Sequence, residues 1–362
     1  MKNTFGQSVS LTLFGESHGA EIGAILDGIA PGLAVDEEFI RHQLSLRRPV
    51  GKISTARVES DPFRIVSGVF EGKTTGTPIA ILIPNSNTKS RDYTPEIPRP
   101  GHADFAAECK YHGFQDYRGG GHFSGRITAA LVAAGAILIL ALRQKGIEIG
   151  THIHTLGKIQ DRPFGDLKAD FKILENKNIP VLDEQLEAEM QAYIEQAASE
   201  GDSVGGVLET VVTGIEAGVG EPWFDTVESL LAHALFGIPA IKGVEFGDGF
   251  AMAEMRGSQA NDAFRVEDGR IVTTTNHNGG INGGITNGMP IVFRCAVKPT
   301  PSIFKEQQTV DMYKKENLDF SLQGRHDPAI IHRARVVVDS VTALVLCDLL
   351  AQRHGTDWLR AD

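Results

Sequence analysis

The sequence is short of several features that would each have set its class. Only three cysteines, Cys109, Cys295 and Cys347, are spread over 362 residues. An odd number at wide spacing fits neither a disulfide framework nor a zinc site, and it points to a reducing compartment. The opening Met1-Lys2-Asn3-Thr4-Phe5-Gly6-Gln7 lacks the apolar run of a secretory signal. The most apolar stretch, Ile127 to Leu142, is too short and too rich in Ala and Gly to span a bilayer. A cytoplasmic protein with no membrane partner is the expectation. No Pro/Ser-rich linker, low-complexity tract or long run of like charge divides the chain, so residues 1–362 read as one domain. Walker A, strand-linked G-x-G-x-x-G and H-E-x-x-H patterns are all missing, which removes the ordinary nucleotide folds and the zinc proteases. A net charge of −11 argues against nucleic-acid binding.

Glycine, in contrast, is plentiful, with 40 residues, and it is concentrated beside basic side chains. The decapeptide Tyr117-Arg118-Gly119-Gly120-Gly121-His122-Phe123-Ser124-Gly125-Arg126 runs straight into the apolar stretch. Consecutive glycines let backbone N–H groups approach an anion, Ser124 is placed to cap the helix after it, and Arg118 and Arg126 bracket the turn with charge. Taken alone, such a segment reads first as a tight surface turn with two solvated arginines. Four similar segments favour a shared pocket: Gly15 to Gly19, Arg99 to Asp104, Thr275 to Pro290, and Lys298 to Ser302 with Arg325 to Pro328. Arginine grips phosphate as a fork and histidine titrates near neutrality, so His18 or His102 suits protonation of a leaving group, with Asp327 orienting or accepting a proton. His152 and His154 lie two apart on a probable strand. Without a third ligand nearby they read as surface histidines, and no metal is assigned.

The periodicity predicts strands over Ser8 to Phe14, Ile22 to Ile29 and Val207 to Thr213, and a helix capped by Asp36. A capping box at Asp225-Thr226-Val227-Glu228 is expected to open another helix, and the polar stretch Pro84 to Pro100 reads as a lid. Gly28-Ile29-Ala30-Pro31-Gly32-Leu33 is echoed by Gly214-Ile215-Glu216-Ala217-Gly218-Val219. Thr74-Thr75-Gly76-Thr77-Pro78-Ile79 is echoed, in the same order, by Thr286-Asn287-Gly288-Met289-Pro290-Ile291. The predicted fold is α+β, a layered β-α-β sandwich. Apolar helices at Ile127 to Leu142 and Val336 to Leu350 lie centrally, the sheets are mostly antiparallel, and an approximate two-fold repeat relates the halves.

Seven motifs fall in a familiar order: Phe14-Gly15-Glu16-Ser17-His18-Gly19, Arg99-Pro100-Gly101-His102-Ala103-Asp104, Asp116-Tyr117-Arg118-Gly119-Gly120-Gly121, Gly257-Ser258 with Asn261-Asp262, Asn276-His277 with Gly279-Gly280-Ile281, Lys298-Pro299-Thr300, and Arg325-His326-Asp327-Pro328. From end to end the chain resembles the chorismate synthase family. The resemblance implies anti 1,4-elimination of phosphate from 5-enolpyruvylshikimate 3-phosphate in the shikimate pathway. It also implies a requirement for reduced FMN without net redox change, NADPH as a candidate reductant, and a homotetramer.

By motif, His18 resembles the proton donor at the leaving phosphate, His102 the histidine that meets reduced flavin, and Asp327 the aspartate near the flavin's reactive nitrogen. Flavin-binding positions match His122, Phe123, Ser124, Pro239, Ala240, Gly283, Lys298, Pro299, Thr300, Pro301, Ser302 and Arg325. Substrate positions match Ser17, Arg48, Arg99, Arg126 and Arg325, and Arg47 matches a basic position linked to NADPH or substrate. The chain departs from the pattern at His122-Phe123-Ser124, where many members carry Arg-Ser-Ser. It also has Lys52 or Ile53 where a further arginine is common, with Arg57 as a replacement charge. The competing class is a non-catalytic flavin- or phosphate-binding module, which has no need of His18, His102 and Asp327 together.

Overall fold

The computed structural model describes residues 2–49, 51–54, 60–86, 94–322 and 327–360. Arg57 and Arg325 therefore lie outside the described residues, as does part of the expected lid.

Two antiparallel five-stranded sheets enclose a layer of helices. The first contains β1 (Ser10–Gly15), β2 (Glu21–Asp27), β3 (Arg64–Ser67) and β4 (Ile79–Pro84) in the order β1-β2-β4-β3, with the short edge Thr4–Phe5 beside β1. The second contains β5 (Glu148–Leu156), β6 (Gly206–Thr213), β7 (Ile241–Phe246) and β8 (Ile291–Val297) in the order β5-β6-β8-β7, with Ile159–Gln160 beside β5. The two orders are the same. Helix α1 (Glu37–Leu46) comes after β2 as α3 (Val227–Leu235) comes after β6, and α2 (Thr128–Gln144) and α4 (Ile331–His354) close the two halves.

The expected repeat extends to individual hydrogen bonds. Thr74 Oγ1 donates to the Ala30 carbonyl (2.7 Å) and accepts from the Leu33 N–H (3.0 Å). Thr286 Oγ1 donates to the Glu216 carbonyl (2.6 Å) and accepts from the Val219 N–H (2.9 Å). Gly28 (φ 78°) and Gly214 (φ 80°) occupy matching left-handed positions; a Cβ there would lie 1.8 Å from the Ser8 carbonyl oxygen and 2.0 Å from that of Gly146. Only glycine permits both the torsion and the approach.

Helix α2 packs on β2 and β4, α4 packs on β5 and β6, and the two helices pack on each other. At Gly135 a Cβ would stand 2.3 Å from that of Ser340, so glycine there is what lets the two helices come together. Although the segment Gly125–Gln144 is apolar and long enough to cross a membrane, nearly all of α2 is buried inside the protein, which makes it a core helix. Asp36 caps α1 as expected, accepting from Glu38 and Phe39 N–H at 2.9 and 3.1 Å, while Ile40 and Leu44 are buried beneath. The box expected at Asp225 is displaced by one residue. Asp225 belongs to the 3₁₀ turn Trp223–Asp225, and extended Thr226 is the cap, accepting from Ser229 N–H at 2.9 Å.

The two sheets differ on their outer faces. Chain leaving β5 covers the second sheet, with Phe171 lying over Gly150, whereas Ile25 and Val66 of the first are exposed.

Candidate active site

A cavity of about 700 Å³ opens where the two halves meet. Its walls come from equivalent places in the repeats. The chain leaving α1 contributes Arg47, Arg48 and Pro49, and the chain leaving α3 contributes Phe236 to Ile241. Residues Ser124 to Thr128 lead into α2, and Asp327, Ile330 and Arg333 come from the start of α4. A second lobe of about 310 Å³, holding Arg99, Asp104, Asp116 and Tyr117, shares His102, Ala103 and Phe123 with the first.

The glycine turn positions the histidines. Gly119, Gly120 and Gly121 all have positive φ (62°, 81° and 54°), which three residues with side chains would adopt only under strain. A Cβ on Gly119 would lie 2.6 Å from the His18 ring and 2.9 Å from Ser17 Oγ. The turn is tied to the loop after β1 by Ser17 N–H to the Gly121 carbonyl (3.0 Å) and by His122 Nδ1 to the Gly15 carbonyl (2.7 Å). A carbonyl only accepts, so His122 carries a proton on Nδ1 and keeps Nε2 for another partner. Ser124 does act as a cap, but its Oγ accepts from Arg126 N–H at 3.3 Å over a 3₁₀ turn, Gly125–Ile127, that precedes α2.

His102 stands at the neck between the lobes and is oriented by Asp104. Its Nδ1 donates to Asp104 Oδ1 at 2.7 Å, and Arg99 donates to both carboxylate oxygens at 2.7 and 2.8 Å. Burial raises the Asp104 pKa, but the hydrogen bonds from Arg99 and His102 outweigh it and hold the carboxyl well below its usual range. Asp104 therefore stays ionised and His102 presents Nε2. The sequence motif contains Asp104 without revealing its part; a carboxylate two residues after a histidine is the signal that could have found it.

The arginines are divided between contacts. Arg126 is buried, pairing with Asp61 and donating to Asn85 Oδ1 (2.9 Å), and it lines the larger lobe. Arg47 donates to Thr128 Oγ1 (2.9 Å) and to the Gly125 carbonyl (2.6 Å), with Asp61 3.6 Å away. Arg48 donates to the Ser60 carbonyl, while its buried Nε has no hydrogen-bond partner among the described residues. Ser17 Oγ and Thr300 Oγ1 are likewise buried without partners. Lys298 Nζ donates to the Gly101 carbonyl (2.6 Å), bringing the 298–302 strip against the loop that carries His102. Asp327 accepts from Arg333 Nη1 at 2.5 Å.

The larger lobe thus gathers Arg47, Arg48, His102, His122, Phe123, Ser124, Arg126, Pro239, Ala240, Lys298, Thr300, Pro301, Ser302 and Asp327. Arg99 lines the smaller lobe, and His18 and Ser17 lie behind Gly119. Pro299 and Gly283 line neither lobe; Gly283 sits at the tip of the hairpin joining Ile281–Asn282 to Ile285–Thr286. Arg118, expected to bracket the turn, folds back onto Asp116 through two bonds of 2.8 Å. A carboxylate two residues away captures it. His152 is not a surface residue, being fully buried on β5.

Fold and site define a class: an enzyme built from a duplicated β-α-β unit, with a cationic cavity for a phosphorylated small molecule between its halves. The chorismate synthase family profile matches residues 9–351. Relatives include a chorismate synthase of Pyrococcus abyssi, 47% identical over 96% of this chain and 98% of that protein. One of Thermococcus kodakarensis is 44% identical over 97% and 98%. A crystal structure of chorismate synthase superposes with a TM-score of 0.77 at 31% identity, covering 98% of this chain and 94% of the other. The chain belongs to the chorismate synthase family. It is accordingly a carbon–oxygen lyase of the shikimate pathway acting on a small phosphorylated substrate, and the family implies a reduced flavin cofactor.

The residues present fit such a cofactor. The larger lobe lies within the roughly 300–1,000 Å³ typical of small-molecule sites. It combines apolar Phe123, Ile238 and Pro239 with a buried, unpartnered Thr300 hydroxyl and cationic Arg47 and Lys298.

Proposed function

We propose that the larger lobe holds reduced FMN and 5-enolpyruvylshikimate 3-phosphate together and that phosphate leaves by anti 1,4-elimination to give chorismate. The observation that carries this reading is the oriented His102, with Asp104 behind it, at the neck of a cavity also reached by Asp327 and the arginines. His122, Ser124, Lys298, Thr300 and Ser302 would hold the flavin, with Pro239 and Ala240 against its apolar part. Arg48 and Arg126 of the larger lobe, with Arg99 reaching in from the smaller, would hold the substrate anion, to which Ser17 and Arg325 are added from the motif match alone. What the cofactor supplies when bound is a transient electron that eases loss of phosphate from an unactivated allylic carbon.

The chain's own residues then manage charge and protons. His18 protonates the departing phosphate, so a poorer leaving group need not enter water as a trianion. Arg126 is already held rigid by Asp61 and Asn85, so it meets the phosphate without losing rotamer freedom. Asp327, held by Arg333, orients or accepts a proton beside the cofactor, and the C6–H and C3–O bonds are the two that break. Asp104 fixes the His102 tautomer, so Nε2 is the nitrogen that would be offered to the cofactor.

The same reading takes residues 1–362 as one domain, since both halves supply the site, with a cytoplasmic homotetramer as the working form. NADPH is the proposed reductant of the flavin, with Arg47 as its basic contact. The test is chorismate formation from the phosphorylated enolpyruvyl substrate under anaerobic conditions with FMN and dithionite. Turnover that needs reduced FMN yet consumes no stoichiometric reductant is expected. Equal turnover without flavin, or none with it, would overturn the reading.

A further inference from the structure

We propose that His152, His154 and Glu209 form a site for a divalent transition metal ion of the zinc type on the outer face of the second sheet. None of the three lines either lobe of the catalytic cavity. The sheet itself brings them together. His152 on β5 lies directly opposite Glu209 on β6, and the pairing shifts register immediately afterwards, between Val207 and Leu208. An irregularity of this kind re-aims a side chain, and the residue it frees is His154. One ligand atom from each of the three residues lies within 4.8 Å of the others.

The local chemistry has the form of a prepared site. His152 Nδ1 donates to Asp161 Oδ2 at 2.8 Å, which fixes the tautomer with Nε2 available and supplies the carboxylate that commonly backs a ligating imidazole. Nε2 stands 3.3 Å from Glu209 Oε1. That is long for a charge-assisted hydrogen bond and equals the edge of a tetrahedron with ligand distances of about 2.0–2.1 Å, which is about 3.3 Å. The other Glu209 oxygen is held by Arg294 Nε at 2.7 Å, so the carboxylate is oriented as well. His154 Nδ1 is buried and has no hydrogen-bond partner among the described residues. Its residue is only half-buried.

Charge points the same way. With neutral histidines, Asp161 behind His152 and the Glu209 and Glu245 carboxylates on Arg294 outnumber that one guanidinium by two, while neighbouring Arg162 is paired with Asp170, and a divalent ion would cancel the excess. Asp161 also accepts from the Leu182 and Asp183 N–H groups at 2.7 and 3.0 Å, so the ion would lock the chain covering this sheet onto its outer face. Three protein ligands leave a fourth position for water.

The experiment uses untagged full-length protein stripped with a chelator, then loaded with Co²⁺ for visible absorption and with Zn²⁺ for metal analysis after gel filtration. One equivalent of metal, a tetrahedral Co²⁺ d–d band and a higher melting temperature with Zn²⁺ are expected. His154→Ala, at a half-buried position, should weaken binding by roughly 10²-fold or more, the scale of losing a ligand or its support. Glu209→Gln should weaken it similarly, while chorismate formation by His154→Ala stays within about twofold of the parent. Absence of bound metal would overturn the site and leave His152 as an imidazolium bridging Asp161 and Glu209. Equal binding by parent and His154→Ala would overturn it too.

Discussion

At equivalent points of the two repeats the chain presents different chemistry to the same cavity. Leaving α1 it offers Arg47 and Arg48; leaving α3 it offers Phe236, Ile238 and Pro239. Entering α2 it offers His122, Ser124 and Arg126, whereas at the start of α4 stands Asp327, held by Arg333. The shared features are scaffold, as Thr74 and Thr286 show by repeating the same hydrogen bonds. The differences carry the chemistry. Duplication yields a two-walled cavity, and divergence gathers the arginines on one wall and most of the apolar surface on the other, where Lys298 and the Asp327–Arg333 pair are the charged groups.

The comparison breaks first, and by the largest margin, if the histidines of the first half are not where turnover resides. His18→Ala and His102→Ala are each expected to lower turnover by roughly 10²–10⁴-fold with the fold intact, the range for a positioned proton-transfer group. Steady-state kinetics with circular dichroism checks this, and near-parental turnover in either variant would remove that histidine from the site's chemistry.

A second asymmetry concerns acid. The first turn of α4 contains His332, buried against Ser54 at 2.9 Å, while the first turn of α2, Thr128 to Leu131, has no titratable residue. Burial chiefly, together with the Arg333 charge, pushes the His332 pKa down from 6.5 to about 4. Its folded form therefore rejects a proton that the unfolded chain accepts, so stability is lost as pH falls from 6.5 toward 4 and not beyond. His332→Gln should gain ~3 kcal/mol relative to the parent over that interval, at about 1.4 kcal/mol per pH unit. Denaturant melts at pH 4, 5 and 6.5 measure it; a constant difference between the two proteins would contradict it.

The smallest effect sharpens the scaffold side of the comparison. Thr74→Val and Thr286→Val each remove one donor and one acceptor from a buried turn and should each cost about 1–3 kcal/mol. The two costs should be of similar size, and the double variant should lose their sum to within ~0.5 kcal/mol, the tolerance for independent sites. A large inequality, read from urea midpoints, would mean that the repeats match in geometry but not in energetics.

Much of this was legible in the sequence because it is local. The Asp36 cap, the apolar runs that became α2 and α4, and the paired glycine–threonine echoes all lie in short windows, and each proved structural. The Asp225 box failed by one residue because both Asp225 and Thr226 are competent caps and only the extended backbone of Thr226 decides between them. What stayed hidden depends on distant pairing. Strand β7, between Gly237-Ile238-Pro239 and a glycine turn, is made a strand by β8, some fifty residues on. His152 reads as surface by its polarity, yet Asp161 and Glu209 make its burial possible. Arg118 reads as a ligand grip until Asp116 captures it.

The most direct test of the two-walled cavity is a crystal structure of the full chain with FMN and the phosphorylated enolpyruvyl substrate. The flavin ring is expected against Pro239 and Ala240, with the substrate phosphate on the side of Arg48 and Arg126. Flavin bound outside the space between the starts of α2 and α4, or substrate phosphate on the apolar wall, would contradict it.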